Sequence, residues 1–147
     1  MEIQKNFGFT ILELVIIIVI LGVVAVITSI KLPGTSVNVV AQATQLANDI
    51  RYTQNLSMAR NQHYRLVITS SSSYAVRDGS GNTDYNINLG SGIILSPSGY
   101  TIIFNSKGVP YSDDSTPLAS TATISVISSE QTSVVSITPK TGRVTTS

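Results

Sequence analysis

The apolar run over residues 9–30, broken only by Thr10, Glu13, Gly22, Thr28 and Ser29, constrains this chain more than any other feature. As a helix rising ~1.5 Å per residue it predicts a length of roughly 30 Å, the thickness of a bilayer core. Ile and Val dominate the run. Both tolerate a helix where lipid offers the backbone hydrogen bonds no alternative. Lys5 precedes the run and Lys31 follows it, so flanking charge leaves orientation almost undecided. The run predicts one membrane helix, with the lipid bilayer as a partner.

Glu13 sits one turn inside this run. A carboxylate in a bilayer costs on the order of 3 kcal/mol at a helix centre and less near an end. Such an acid points to function when a partner can be named; the plainer alternative is that it snorkels to the interface or is protonated. A secretory signal peptide is a rival reading, with an apolar region over residues 11–21 and a small-residue site at Val23-Val24-Ala25. Glu13 argues against it, because a charge weakens that region. Gly22 is unremarkable in a membrane helix, where glycine is common.

The segment Gly8-Phe9-Thr10-Ile11-Leu12-Glu13-Leu14 resembles the type IV prepilin signal. The resemblance implies a leader over residues 1–8 with Lys5 as its basic residue. It implies cleavage after Gly8 by a prepilin peptidase/methyltransferase and N-methylation of Phe9. It also implies that Glu13 is the assembly carboxylate, paired with the N-terminal amine of a neighbouring subunit. In that family, Gly22 would mark where the helix can loosen during packing. Many relatives carry proline eight residues further on. Here that position is Ile30 and the first proline is Pro33, beside Gly34, so the helix break is expected three residues later.

After Gly34 no Pro or Gly interrupts the chain until beyond Asn61, and Thr35 or Ser36 can cap a new helix. Val39, Ala43, Leu46, Ile50 and Thr53 recur at helical spacing, and Leu56 and Ala59 continue that face after a small rotation. Gln42, Gln45, Asn48, Asp49, Asn55 and Arg60 fall on the other side. This predicts an amphipathic helix whose inner face packs on a sheet rather than in a coiled-coil seam.

The remainder reads as short strands near residues 64–69, 74–77, 85–89, 92–95, 101–105, 123–127, 133–138 and 143–145, separated by Gly, Ser, Pro and Asp. Tight turns imply mainly antiparallel pairing. The expected fold is α+β: a long N-terminal helix, part transmembrane and part amphipathic, on a mainly antiparallel sheet. The expected division is leader 1–8, membrane and assembly helix 9–32, amphipathic spine 33–61 and β-rich head 62–147.

Two further segments carry a resemblance, Ile102-Ile103-Phe104-Asn105-Ser106-Lys107-Gly108-Val109-Pro110-Tyr111 and Val135-Ser136-Ile137-Thr138-Pro139-Lys140-Thr141-Gly142-Arg143-Val144. Both are similar to the C-terminal half of H-type minor pseudopilins of type II secretion and related minor pilins. Arg51-Tyr52 and Ala59-Arg60-Asn61 resemble the end of their spine helix. Read physically, the two segments are strand-then-turn signals, with Gly108 and Gly142 supplying the turns.

Little in the chain suggests chemistry. Charged residues are 12% of the chain, about half the ~25% of soluble domains, and nine Lys and Arg face eight Asp and Glu. The absence of cysteine removes disulfides, zinc ribbons and thiol nucleophiles. His63 is the sole histidine, too few for a multi-histidine metal site within one chain. Asp78 to Asp84 offers two carboxylates and an Asn, a weak calcium loop lacking the alternation and closing Glu of an EF-hand. Lys140 and Arg143 alone would give weak, salt-sensitive phosphate binding, so nucleic acid is not expected as a partner.

The expectation is a structural, non-catalytic, cofactor-free minor subunit of a type II secretion pseudopilus or type IV pilus. Its partners would be other pilin or pseudopilin subunits, the prepilin peptidase/methyltransferase and the inner-membrane assembly platform. It would begin in a bacterial inner membrane with a periplasmic head and end in a periplasmic pseudopilus or surface pilus. The alternative is an adhesive or DNA-binding tip subunit.

Overall fold

A computed structural model describes residues 10–28 and 35–147, with side chains within the two helices described up to residue 22 and from residue 38. The chain divides into two units, Met1–Pro33 and Gly34–Ser147.

In the first unit, helix α1 spans Ile11–Thr28. Its start is set by Thr10, whose hydroxyl accepts from the Glu13 amide at 3.2 Å while its carbonyl accepts from Leu14 at 3.1 Å. This satisfies one of the amides that every helix start leaves open. Among the described residues the large apolar side chains from Ile11 to Leu21 are 40–85% exposed. A helix apolar all round belongs in a core or a membrane. Among the described residues no helix is long and apolar enough to cross a membrane. At ~1.5 Å per residue, the 18 residues of α1 reach about 27 Å. The longer run expected from the sequence ends at Phe9 and Ile30, and both lie outside the described residues, as does the expected break near Pro33.

In the second unit, helix α2 (Thr35–Arg60) is followed by nine strands among the described residues. These are β1 (Tyr64–Ser70), β2 (Ser73–Arg77), β3 (Thr83–Asn88), β4 (Ile94–Ser96), β5 (Thr101–Phe104), β6 (Pro110–Tyr111), β7 (Ala122–Ile127), β8 (Thr132–Ile137) and β9 (Val144–Thr146). They form two sheets, ordered β3-β2-β1-β5-β6 and β4-β7-β8-β9, with every pairing antiparallel. The sequence implied one sheet. It gave no cue that β4 leaves the chain order to pair with β7, and β6, two residues long, was not expected.

The helix face predicted from spacing is the core: Val39, Ala43, Leu46, Ile50 and Thr53 are fully buried, joined by Ala47 and Ser57. They meet Tyr64, Leu66, Ile68, Tyr74 and Phe104 from one sheet and Ile124, Val126, Val135 and Ile137 from the other. Each large aliphatic chain buried here contributes about 1.5–3 kcal/mol. Of the expected continuation, Leu56 packs half-buried against the core while Ala59 is exposed, and the fully buried face runs from Thr53 to Ser57. These two buried hydroxyls donate to the carbonyls one turn back, at 2.7 and 3.1 Å, and Ser57 accepts the Tyr64 amide at 3.0 Å. A polar pair can therefore occupy the core without an unmet hydrogen bond.

Helix α2 stops at Asn61, whose φ is 52°, while the Gln62 amide donates to the Ser57 carbonyl at 3.2 Å. This is the left-handed helix ending in which Asn replaces the commoner Gly.

Candidate functional site

Gly8 and Phe9, the expected cleavage and methylation positions, lie outside the described residues. Glu13 lies in the first turn of α1 and is exposed. Its place three residues after the capping Thr10 also fits the Thr-x-x-Glu pattern of a capping box. The amide half of that box is present, through the Thr10 hydroxyl.

In the head, two segments singled out in the sequence converge on one side chain. Gln54, on α2, donates through Nε2 to the Gly108 carbonyl at 2.8 Å and to the Thr141 carbonyl at 3.0 Å. The turn at Gly108 is built by Asn105, whose side-chain oxygen accepts from the Lys107 and Val109 amides, both at 2.9 Å. Gly142 (φ 65°) closes the second turn, its amide donating to Thr138 at 3.0 Å. A Cβ at Gly142 would stand 2.5 Å from Gln54 Nε2 and 3.0 Å from both the Gly108 carbonyl oxygen and Phe104 Cε1. The two glycines therefore serve close approach as well as turn conformation. Sequence reasoning missed Gln54, because a glutamine on a polar helix flank carries no visible signal.

Asp49, assigned to the outer flank by periodicity, is half-buried and accepts from the Tyr74 hydroxyl at 2.7 Å. Burial, then the Asp49 hydrogen bond and charge, push the Tyr74 phenol well above the usual tyrosine range. Burial and then the same carboxylate raise Tyr85. Gln42, another expected outer residue, is half-buried and accepts from the Gly90 amide at 3.3 Å.

The candidate calcium loop is closed on itself. Asp78 accepts from the Ser80 and Asn82 amides at 2.9 and 2.8 Å and from the Asn82 side chain at 3.0 Å. Chiefly the Asn82 side-chain bond holds its carboxyl below the usual range. Among the described residues no group of three or more His, Cys, Asp or Glu is placed to hold a metal ion. His63 stacks beside Tyr111, ring centroids 6.4 Å apart, and lines an open groove of about 520 Å³ with Arg65 and Asp114, which pair at 2.9 Å. A second groove, of about 530 Å³, lies between α2 and β9 and is lined by Arg51, Gln54, Arg143, Thr145 and Thr146.

Residues 3–29 match the family model of the prokaryotic N-terminal methylation motif. The chain is also similar in structure to the type IV minor pilin FimU of Pseudomonas aeruginosa (strain PAO1). The TM-score is 0.56 at 11% identity, over 73% of this chain and 90% of that one. No curated protein sequence matches. The chain thus carries a methylation motif at its N-terminus and shares its fold with a type IV minor pilin. The Gln54 clasp holds both C-terminal segments to the helix.

Proposed function

We propose that the chain is a structural subunit of a type II secretion pseudopilus or type IV pilus, processed by a prepilin peptidase and assembled through its N-terminal helix. The observation that carries this is the methylation motif over residues 3–29, in a chain whose fold is that of a minor pilin. The precursor rests in the inner membrane with residues 9–32 as its single span and the head in the periplasm. Gly8 is the residue before the cut, and Phe9 is the new, methylated terminus. Glu13 then faces the Phe9 ammonium of a neighbour. In lipid the area-dependent drive for helix association is largely absent, so close packing and this ion pair decide the register. The exposed apolar faces of α1 support the reading, since they require a covering of lipid or of other subunits.

Processing is the direct test. A peptidase must draw the backbone into its site, and a residue without Cβ permits that approach. Mass spectrometry of the chain from membranes should find an N-terminal methyl-Phe9, and Gly8→Val should leave the precursor uncut. Mature-sized Gly8→Val protein would refute the assignment of the cleavage site.

A further inference from the structure

We propose that the groove between α2 and β9 is a carboxylate-docking site, occupied in the assembled filament by Asp84 of a second copy of this chain. The proposal rests on the filament reading above.

The groove is cationic and has no acid of its own: Arg51, Gln54, Gly142, Arg143, Val144, Thr145 and Thr146 line it. Arg51 is pinned. Its guanidinium donates to the Asn48 side-chain oxygen and to the Val144 carbonyl, each at 2.8 Å. Both acceptors are neutral, so the fork is held in place with its charge uncompensated. Fixing a long side chain in advance removes an ordering cost from whatever binds it. Arg143 stands exposed at the same groove, beside the hydroxyls of Thr145 and Thr146. Among the described residues neither arginine meets a carboxylate; the ion pair found there is Arg65 with Asp114.

The acids of the head are nearly all committed. Asp49 holds Tyr74, and Asp78 and Asp113 hold their own turn amides. Asp114 holds Arg65, and Glu130 has a contact of its own. Asp84 is the exception: it is exposed on β3 and makes no hydrogen bond or ion pair among the described residues. Strand β3 is one edge of the five-stranded sheet, whereas β9 is one edge of the other sheet. Acid and groove thus belong to different edges of one head. Such a contact between copies is head-to-tail, and head-to-tail contacts propagate into rings or open helical filaments. Two arginines suit one carboxylate better than a nucleic-acid strand, whose binding grows with the number of phosphates contacted. Exposed charge pairs set orientation and partner choice more than affinity.

The test uses the full chain with its assembly machinery. Because the chain lacks cysteine, an Asp84→Cys copy and an Arg143→Cys copy, differently tagged, can be co-expressed and oxidised. A disulfide-linked heterodimer in sheared filaments, absent when either substitution is made alone, is the expected result. One adjoining pair of copies is enough to give it. In a second arm, Arg143→Glu should lower filament incorporation by about fivefold, and Asp84→Arg in the partner copy should restore it. Both positions are exposed, so neither change should disturb the fold. Wild-type chain present in filaments with no cross-link and no charge-swap rescue would overturn the docking site and leave the assembly reading standing. Wild-type chain missing from filaments would remove both. DNA retention that depends on Arg143, without a cross-link, would replace the carboxylate with a phosphate ligand and so also overturn the proposal.

Discussion

Gln54 donates its side-chain amide to the Gly108 carbonyl at 2.8 Å, across 54 residues of chain, and the same nitrogen reaches Thr141 at 3.0 Å. One helix side chain thus sets the spacing of two turns that lie in different sheets' connections. Gly142 closes against it with no room for a Cβ.

Gly142→Ala should therefore be among the more damaging single changes in the head. The left-handed φ of 65° costs an L-residue about 1–2 kcal/mol, and the close contacts add about 1–3 kcal/mol of overpacking. Urea melts of wild type and variant should differ by about 2–5 kcal/mol. Adding Gln54→Ala removes the 2.5 Å contact but not those to Gly108 and Phe104, so the double variant should lose less than the sum of the singles. Strict additivity would mean that the clasp does not couple the two sites.

The head should fold without the first unit. The apolar core, from Val39 to Val144, lies wholly within Gly34–Ser147. A fragment over residues 34–147 should be soluble and give a circular dichroism spectrum of mixed helix and strand with a cooperative melt. Aggregation across several start points would show that the core needs the N-terminal segment.

How far the sequence could be read depended on whether local periodicity decided the outcome. The buried face from Val39 to Thr53 was legible because a 3.6-residue period leaves one stripe. The strands near Tyr64, Thr101 and Thr132 were legible from alternation between turn residues. The split into two sheets was not, because strand partners are set by tertiary packing; nothing in Ile94–Ser96 names β7 as its neighbour. Asp49 and Gln42 were misplaced for a related reason. Periodicity sorts residues by polarity, but Tyr74 and Gly90 supply hydrogen bonds that let polar groups turn inward. At the N-terminus the match over residues 3–29 is to a linear motif, the kind of signal a sequence displays directly, while Gln54 and Arg51 act through partners 54 and 93 residues away.

Tyr74→Phe should destabilise the head by about 1.5–3 kcal/mol, the range for a hydrogen bond to a charged group. The pH dependence has a defined sign. Burial and then Asp49 raise the Tyr74 phenol above its ordinary value, so the native state holds that proton more tightly. The linked stability is fully present below pH ~10, the unfolded tyrosine value, and is lost as pH rises through the higher native value. Absorbance at 295 nm during a base titration should show a late tyrosinate step that coincides with unfolding and is diminished in Tyr74→Phe. A complete tyrosinate signal within about two pH units of the ordinary tyrosine value, with the fold intact, would contradict the buried Tyr74–Asp49 bond.

The Asp78 turn should loosen in acid. The Asn82 side-chain bond, with backbone amides behind it, lowers the native carboxyl pKa, so its contribution is present above pH ~3.9 and lost as pH falls through the lower native value. Protection of the Ser80 and Asn82 amides, taken against their intrinsic exchange rate at each pH, should fall over that window and be lost at all pH in Asp78→Ala. Calcium should not raise that protection, because Asp78 already accepts three hydrogen bonds from its own loop. Slower exchange on adding calcium would restore the metal-loop reading.

Glu13 distinguishes assembly from capping. As a capping residue it would serve the monomer, through the start of α1 that Thr10 already organises. As the assembly carboxylate it is a liability in the membrane-held monomer and needed only in the filament. Glu13→Leu should then insert at least as well as wild type while losing incorporation. Removing one partner of a buried ion pair typically costs about 3–5 kcal/mol, which at ~1.4 kcal/mol per factor of ten is a hundredfold or more. Glu13→Gln separates the two roles, because Gln can still reach back to the Thr10 amide as a capping box requires but carries no charge. Cleaved protein is measured in membranes and in sheared filaments for each variant. The assembly role predicts normal membrane levels for both variants, with Gln as deficient in filaments as Leu. If Gln behaved like wild type and Leu did not, the capping box would be the function of Glu13. Loss of both variants from the membrane fraction would place its role in insertion or processing.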